Sequence, residues 1–204
     1  MAADRWQSLM EAAAREFASH GYERASLNRI IRACGMSKSS FYHYVRSKEE
    51  LFDRLIDDIT AALAREIEVP QPHEFTVGDF WARAEELLDR LLDLAGREPS
   101  FGDLGRMFYL PGAPAGEHSA LGRLLAAIET WLEQTLAVGR ACGSVRDDLP
   151  APLQAQMTMA IVRVFDEWGV RHREELDADE EQQLARAQLD ALKRLLAPDP
   201  AASR

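Results

Sequence analysis

Apolar positions in the first quarter of the chain recur at three- and four-residue intervals, which is the spacing of an α-helix. The first such stripe consists of Trp6, Leu9, Met10, Ala13 and Phe17. Gly21 follows it and is expected to cap that helix, because glycine readily adopts the left-handed conformation that ends many helices. The chain is therefore predicted to begin with one amphipathic helix.

Two shorter helices are expected next, with a turn between them. Ser26 is a suitable N-cap for the first of them. The apolar side of that helix carries Leu27, Ile30, Ile31 and Cys34. Gly35 and Met36 then turn the chain, and Ser37 caps a third, very short helix with Phe41 on its inner side. This pattern predicts a helix–turn–helix.

A longer helix is predicted to open at Ser47, which can form a capping box with Glu50. Its apolar stripe consists of Leu51, Leu55, Ile59, Leu63 and Ile67. The helix is expected to run to about Val69, where the prolines of residues 70–72 end it. About twenty residues at about 1.5 Å each make a rod of roughly 30 Å, long enough to link two functional regions.

The rest of the chain shows helical patterns and no convincing strand pattern, because β-branched residues are scarce and Ala, Leu, Glu and Arg dominate. Helices are predicted at about 75–96, 101–109, 118–141, 150–172 and 178–196. The last residues, PDPAASR, are expected to be disordered. The fold class predicted for the whole chain is all-α.

Charge is distributed unevenly along the chain, whose formal net charge is -10. Residues 1–55 hold nine Arg and Lys against seven Asp and Glu, whereas residues 56–204 hold fifteen against twenty-seven. Only the first quarter can therefore approach a polyanion without strong repulsion. So small a basic excess is common on globular domains and is weak evidence by itself.

Composition narrows the class of protein. With 47% hydrophobic and 28% charged residues, the chain has the balance of a soluble globular protein. No run of apolar residues is long enough for a membrane span, and the first residues show no secretory signal. Cys34 and Cys142 form no CxxC pair, which favours the reducing cytoplasm over a disulfide framework.

The third predicted helix carries side chains that suit nucleic acid. Its exposed side is expected to hold Lys38, Ser39, Ser40 and His43. Short polar groups of this kind can enter a groove and hydrogen-bond to base edges or phosphates. Tyr42 and Lys48 are placed to hold the DNA backbone on the two flanks. The alternative is a small helical bundle that only folds the N-terminus.

Residues 11–52, EAAAREFASHGYERASLNRIIRACGMSKSSFYHYVRSKEELF, resemble the DNA-binding domain of the tetracycline-repressor (TetR) family of transcriptional regulators. The matching features are an Ala-rich helix ending in Phe17, then Gly21-Tyr22, Ser26, Ile30, Cys34-Gly35-Met36-Ser37, Phe41-Tyr42-His43-Tyr44 and Ser47-Lys48-Glu49-Glu50-Leu51. The resemblance implies a three-helix, helix-turn-helix DNA-binding domain over residues 1–52. A long helix would join it to a helical effector-binding and dimerisation domain over 53–197, followed by a disordered tail, 198–204.

The resemblance also implies roles for single residues. The residues expected to contact DNA are Ser26, Asn28, Lys38, Ser39, Ser40, Tyr42, His43 and Lys48. The Lys38–Ser40 segment would read bases in the major groove, and Tyr42 and Lys48 would contact the backbone. His43 is equally compatible with groove and surface. Ile31 and Cys34 stand where the family usually has Ala, which puts the fine placement of the recognition helix in question.

One short recognition helix reads only a few base pairs, so a palindromic site and a homodimer are expected. The residues predicted for the dimer interface are Met157, Ile161, Trp168, Leu184, Leu189, Leu192 and Leu196. The residues predicted for an effector pocket are Trp81, Phe101, Met107, Phe108, Tyr109, Trp131 and Phe165. Ordinary packing within one chain is the alternative for both sets.

The expected function is that of a repressor that binds an operator in double-stranded DNA and is released by a small-molecule effector. No cofactor and no metal site are expected. An enzyme is a weaker hypothesis, because the chain lacks HExxH, GxSxG, CxxC and a Gly-rich phosphate loop. A helical interaction protein whose helix-turn-helix no longer reads DNA is the remaining alternative.

Overall fold

The computed structural model describes residues 3–97, 112–172 and 175–198, and these residues form eight α-helices and no β-strand. The all-α prediction is confirmed. The helices are α1 Ala3–Arg24, α2 Leu27–Ala33, α3 Lys38–Tyr44, α4 Lys48–Glu66, α5 Phe80–Arg97, α6 Ala120–Ala141, α7 Ala151–His172 and α8 Ala178–Leu196. A 3-10 turn, Pro72–Thr76, lies between α4 and α5.

The described chain divides into two compact units. The first comprises residues 3–66 and 112–124, and the second comprises residues 67–97, 125–172 and 175–198. The whole of α4 belongs to the first unit, whereas the sequence placed a domain boundary after residue 52. The predicted helix at 101–109 and residues 199–204 lie outside the described residues.

The first unit is built around an aromatic cluster formed by α1 and α4. The rings of Phe17 and Phe52 meet edge to face at 5.1 Å between centroids, and Tyr22 contacts Phe52 at 5.2 Å. Ile30 of α2 and Phe41 of α3 are fully buried in the same unit. Burial of these apolar side chains fixes the two short helices, which are too short to be stable alone.

Gly21 interrupts α1, as its predicted capping role requires, but the chain does not leave the helix there. Its φ of +73° is non-helical, and one further helical turn follows, in which the Ala25 amide donates to the Gly21 carbonyl at 3.1 Å. The predicted end of the helix at Gly21 is therefore a kink rather than a terminus.

In the second unit, α5 begins at Phe80, about five residues later than the hydrophobic pattern predicts. Gly78 has a φ of +80°, and the Asp79 carboxylate then accepts hydrogen bonds from the Ala82 and Trp81 amides. These bonds lower the pKa of Asp79. Asp79 is thus the N-cap that sets the start of the helix.

The other helices of this unit follow their predicted bounds within two residues. Helix α8 opens on a capping box, in which Asp177 and Glu180 exchange hydrogen bonds of 2.9 and 3.0 Å. The core of the unit contains Phe75, Phe80, Leu136, Val145, Ala155 and Leu196. No helix of the described residues is long and apolar enough to cross a membrane.

Candidate functional site

The turn between α2 and α3 is fixed by backbone hydrogen bonds. The Met36 amide donates to the Ile31 carbonyl at 3.1 Å, and the Gly35 amide donates to the Arg32 carbonyl at 3.2 Å. This pair is a Schellman motif, and Gly35 adopts the required left-handed conformation with a φ of +66°. The tight turn orients α3 without using any of its side chains.

Helix α3 has one buried side and one exposed side. Ser37 caps it, since the Ser37 hydroxyl accepts from the Ser40 amide at 3.1 Å. Phe41 is fully buried, whereas Tyr42 is 51% exposed. The remaining exposed residues are Lys38, Ser39, Ser40 and His43. The side chain of Lys38 makes no hydrogen bond or ion pair with any described residue.

The serine hydroxyls at the start of α3 contact one another. The Ser37 hydroxyl lies 3.1 Å from the Ser39 hydroxyl and donates to the Ser40 hydroxyl at 3.0 Å. Each of these groups retains acceptor capacity. The structure therefore presents a small hydroxyl cluster beside the free ammonium of Lys38.

Ser26 and Asn28 lie at the start of α2. Ser26 occupies the predicted N-cap position, but its side chain makes no capping hydrogen bond. Asn28 is exposed and Ser26 is half-buried. The structure leaves both polar side chains available to an external partner.

A cavity of about 210 Å³ lies within the second unit. Its walls come from the 3-10 turn and helices α5 to α8. The lining residues are Phe75, Phe80, Trp81, Ala84, Leu87, Leu88, Leu91, Trp131, Leu132, Thr135, Leu136, Thr158, Val162, Leu189, Leu192 and Leu196.

Two of the aromatic residues predicted for a pocket, Trp81 and Trp131, line this cavity. Phe165 is half-buried on α7, one turn beyond Val162, and is not part of the lining. The other four, Phe101, Met107, Phe108 and Tyr109, lie outside the described residues.

Helix α7 carries an apolar stripe on its outer face. Val164 is 64% exposed and Trp168 is 43% exposed, and Leu153 and Ala160 are also exposed. Met157, at the same helical spacing, is half-buried. Ile161 lies beside this stripe. Exposed apolar side chains in one row mark a surface that a partner can cover.

The leucines of α8 face the interior of their own chain instead. Leu189, Leu192 and Leu196 line the cavity, and Leu196 is only 2% exposed. Leu184 packs close to Gly169 of α7. Packing within the chain therefore accounts for part of this stripe, and the dimer interface predicted at these four leucines stays a prediction.

Comparison with known proteins identifies the family. Residues 9–55 match the family model described as bacterial regulatory proteins, tetR family. The HTH-type transcriptional repressor SCO4008 of Streptomyces coelicolor is 31% identical over 146 residues, which are 71% of this chain and 69% of that protein. The chain belongs to the tetR family of bacterial regulatory proteins.

Solved structures of similar proteins share the fold. NalD, the secondary repressor of the MexAB-OprM multidrug efflux pump in Pseudomonas aeruginosa, has a TM-score of 0.68 at 19% identity and covers 98% of this chain and 100% of its own. SmeT in complex with triclosan has a TM-score of 0.66 at 17% identity and covers 97% of this chain and 93% of its own. This likeness confirms an N-terminal helix-turn-helix followed by a helical domain. The A-factor receptor protein of Streptomyces griseus and the HTH-type transcriptional repressor Rv1474c of Mycobacterium tuberculosis match over shorter segments, which span only 24% and 33% of their lengths.

A buried carboxylate that the sequence analysis missed holds the helix-turn-helix of this tetR-family chain together. Glu16 of α1 accepts from the Ser26 amide at 2.8 Å and from Arg29 Nε at 2.8 Å. Burial opposes ionisation of this group, but the hydrogen bonds from Arg29 and Ser26 outweigh it, so the pKa of Glu16 is lowered. Glu16 lies three positions after Ala13 and four after Ala12, so it shares their buried face of α1. A carboxylate at a buried position of the helical pattern was the signal that the sequence offered.

Lys48 occupies a different place from the one expected. Its ammonium donates to the carbonyls of Tyr22 at 2.8 Å and Glu23 at 3.0 Å, and lies 4.7 Å from the centre of the Tyr22 ring. A cation at the C-terminal end of a helix is also favoured by the helix dipole. In the free chain, Lys48 therefore attaches the start of α4 to the end of α1.

The cap of α4 differs slightly from the predicted capping box. The Glu50 amide donates to the Ser47 hydroxyl at 3.0 Å, as expected. The Glu50 carboxylate accepts from the Arg46 amide at 2.7 Å, one residue before the N-cap. The bond from this amide lowers the pKa of Glu50.

The N-terminus of α6 is bound to α4 within the first unit. The Asp53 carboxylate accepts from the Ala120 amide at 2.8 Å, and Asp57 pairs with Arg123 at 3.1 Å. Eleven and twelve residues after Ala120 on α6, Trp131 and Leu132 line the cavity. One helix therefore carries both the attachment to α4 and part of the cavity wall.

Groups that could hold a metal ion are absent from the described residues. No cluster of three or more His, Cys, Asp or Glu side chains occurs among residues 3–97, 112–172 and 175–198. Two features remain as functional candidates, namely the exposed side of α3 in the first unit and the apolar cavity in the second.

Proposed function

We propose that this tetR-family chain is a DNA-binding transcriptional repressor that binds a palindromic operator as a homodimer and is released by a small molecule. The observation that carries the proposal is the exposed side of α3. A short helix held by a Schellman turn and by burial of Phe41 presents an unpaired ammonium, a hydroxyl cluster and a phenol to the outside. These groups match the donors and acceptors of base edges and phosphates.

The distribution of charge supports the same surface. The first 55 residues carry the only basic excess in a chain whose net charge is -10. A duplex would therefore be attracted to the helix-turn-helix and repelled by the acidic remainder. Tyr42, with its exposed hydroxyl, is proposed to contact a phosphate, and Lys38 to contact a base. Ser26 and Asn28 are proposed as further contacts.

Dimerisation supports specificity, because two α3 helices can read two half-sites about one turn of DNA apart or a multiple of it. We assign the interface to the outer stripe of α7, which includes Leu153, Met157, Val164 and Trp168. This stripe is apolar and exposed in a single chain. Association of two copies through one face gives the two-fold symmetry that a palindrome requires.

Release by a small molecule is supported by the cavity and by α6. A ligand changes DNA affinity only if it binds two states of the protein unequally. A ligand in the cavity would contact Trp131 and Leu132, and the same helix is bonded to α4 through Ala120 and Asp53. The likeness to SmeT, which was solved with triclosan, is consistent with a small-molecule ligand.

Binding to DNA is tested with a matched pair of variants. Tyr42→Phe and Tyr44→Phe each remove one phenol hydroxyl from α3, and only Tyr42 is largely exposed. Fluorescence anisotropy with a duplex pool of randomised sequence should show weaker binding for Tyr42→Phe and little change for Tyr44→Phe. Absence of wild-type binding at low salt would contradict the proposal and favour a helical interaction protein that does not read DNA.

A further inference from the structure

We propose that the ligand of the partly open cavity in the second unit is a small, uncharged, apolar molecule, about the size of naphthalene, without a carboxylate, phosphate or ammonium group. This inference rests on the proposed function and adds the chemical class of the effector. It follows from three properties of the cavity, namely its charge, its hydrogen-bonding groups and its volume.

No charged side chain belongs to the lining among the described residues. Every residue of its described lining is apolar or aromatic except two threonines. The nearest charged pairs that join α5 to α8 are Arg186 with Asp89 at 3.3 Å and Lys193 with Glu85 at 3.2 Å, and these exposed side chains neutralise one another. A charged ligand would lose its hydration and find no opposite charge in exchange.

The tryptophan donors of the lining are already used. The indole N–H of Trp81 donates to the Ser144 carbonyl at 3.0 Å. The indole N–H of Trp131 donates to the Pro70 carbonyl at 2.8 Å. Both rings are therefore held in place with their polar edges turned to the backbone, and they offer the ligand only apolar surface.

The threonine donors are used in the same way. The Thr135 hydroxyl donates to the Trp131 carbonyl at 2.8 Å, and the Thr158 hydroxyl donates to the Gln154 carbonyl at 2.8 Å. No side-chain donor of the described lining remains free. A ligand carbonyl or carboxylate seated against this lining would consequently lose its hydration without gaining a side-chain hydrogen bond, which is unfavourable.

The volume sets the size of the ligand. An engineered cavity of about 150 Å³ lined by apolar side chains binds benzene. The present cavity is about 210 Å³. In proportion to the six non-hydrogen atoms of benzene, it holds about eight, and its open side leaves room for the remainder of two fused rings. Naphthalene is therefore a suitable probe.

The test compares three probes of one shape and different charge. The full chain, without DNA, is titrated with naphthalene, 1-naphthoate and 1-naphthylmethylammonium, and binding is followed by the fluorescence of Trp81 and Trp131 and by calorimetry. Naphthalene should bind at least about tenfold more tightly than either charged probe. Equal or tighter binding of a charged probe, or no binding of naphthalene, would overturn the inference.

Two variants of α5 locate the binding. Ala84 lines the cavity, and Ala84→Leu should reduce naphthalene affinity by about tenfold or more because it fills the space. Ala82 is exposed on the same helix, and Ala82→Leu should leave the affinity unchanged. Unchanged naphthalene binding by a folded Ala84→Leu chain would contradict binding in this cavity. The comparison of the three probes uses the wild-type chain and does not depend on either variant.

The outcome is separable from that of the proposed function. The same preparation is assayed for binding to the randomised duplex pool. If DNA binds and naphthalene does not, the regulator stands and the ligand class is wrong. If naphthalene binds and DNA does not, the cavity assignment stands and the regulator is wrong.

Discussion

Single residues of the first unit divide between contact and positioning. Tyr42 and Lys38 point their polar groups away from the core, whereas the polar atoms of Glu16 and Lys48 are directed to other helices. The sequence places all of these residues in or beside the helix-turn-helix but does not separate the two roles. Substitution at the positioning residues should therefore change stability before it changes DNA contacts.

Lys48 provides the clearest separation of the two roles. Lys48→Met removes the ammonium that binds the Tyr22 and Glu23 carbonyls but keeps the aliphatic chain. We expect a loss of about 1 kcal/mol, or a fall of about 2–4 °C in the melting temperature, measured by circular dichroism. The slope of log affinity against log salt concentration should be unchanged.

The competing outcome for Lys48 is equally specific. If the ammonium leaves α1 and contacts a phosphate in the complex, the salt slope of Lys48→Met should also fall by about one. Lys38→Met serves as the control, since the exposed Lys38 has no bond to lose and its replacement should leave the melting temperature unchanged.

Glu16 makes stability depend on pH. Its folded-state pKa is below its ordinary value, so the carboxylate stabilises the folded chain above that ordinary value. The contribution is lost as the pH falls through the lowered pKa. Relative to wild type, Glu16→Gln should be less stable by about 1 kcal/mol at neutral pH, and the difference should shrink toward zero in acid.

Urea denaturation at a series of pH values measures this difference. Glu11→Gln, on the exposed side of the same helix, is the control and should match wild type closely, because exposed ion pairs contribute little. A difference between wild type and Glu16→Gln that stayed constant from neutral pH into acid would contradict the assigned pKa.

Elements were predictable from the sequence where local signals agree. Helix α8 has a capping box and a continuous apolar stripe, and its predicted bounds are the observed ones. The predicted start of α5 was wrong because Phe75 continues the helical pattern although it belongs to a 3-10 turn. The N-cap of the observed helix is Asp79. Helix boundaries depend on such single hydrogen bonds, which periodicity does not report.

The functional surfaces were predictable to a different degree. The exposed side of α3 follows from seven neighbouring residues, so the sequence was sufficient for it. The partner of Lys48 lies 25 to 26 residues earlier in the chain, and no local pattern indicates that contact. The leucine stripe of α8 fits a dimer interface and an internal cavity equally well until the packing of α5, α6 and α7 is known.

Helix α7 carries the prediction that belongs to the scale of an element. Val164→Glu places a charge in the centre of the exposed apolar stripe and should convert a dimer into a monomer, because a buried unpaired charge is strongly unfavourable. Light scattering after size-exclusion chromatography gives the molar mass. Affinity for specific DNA should fall when the dimer is lost, since one α3 helix reads only half of the site.

The control for this variant changes charge equally on the same helix. Gln156 is exposed at the edge of the apolar stripe, one turn before Ala160, where a charge can stay hydrated, so Gln156→Glu should remain dimeric. A Val164→Glu chain with the molar mass of the wild type would show that the stripe of α7 is not the interface.

At the scale of the whole molecule, the proposed function assigns DNA binding to one unit of this all-α chain and ligand binding to the other. The first unit holds α3 and the slightly basic segment of residues 1–55, and the second holds the cavity. Helix α6 contributes residues to both units, Ala120 to the first and Trp131 to the second. Under the proposed function, this helix is the element through which a ligand would act on α4.

The most direct test is selection of bound sequences from a pool of randomised duplexes, carried out with the wild-type chain and sequenced. The account predicts an inverted repeat whose half-sites are centred about one helical turn apart, or a multiple of it. With Lys38→Ala, preference for at least one base in each half-site should weaken by about 1–3 kcal/mol. Enrichment of no sequence, together with no binding to any duplex at low salt, would contradict the account.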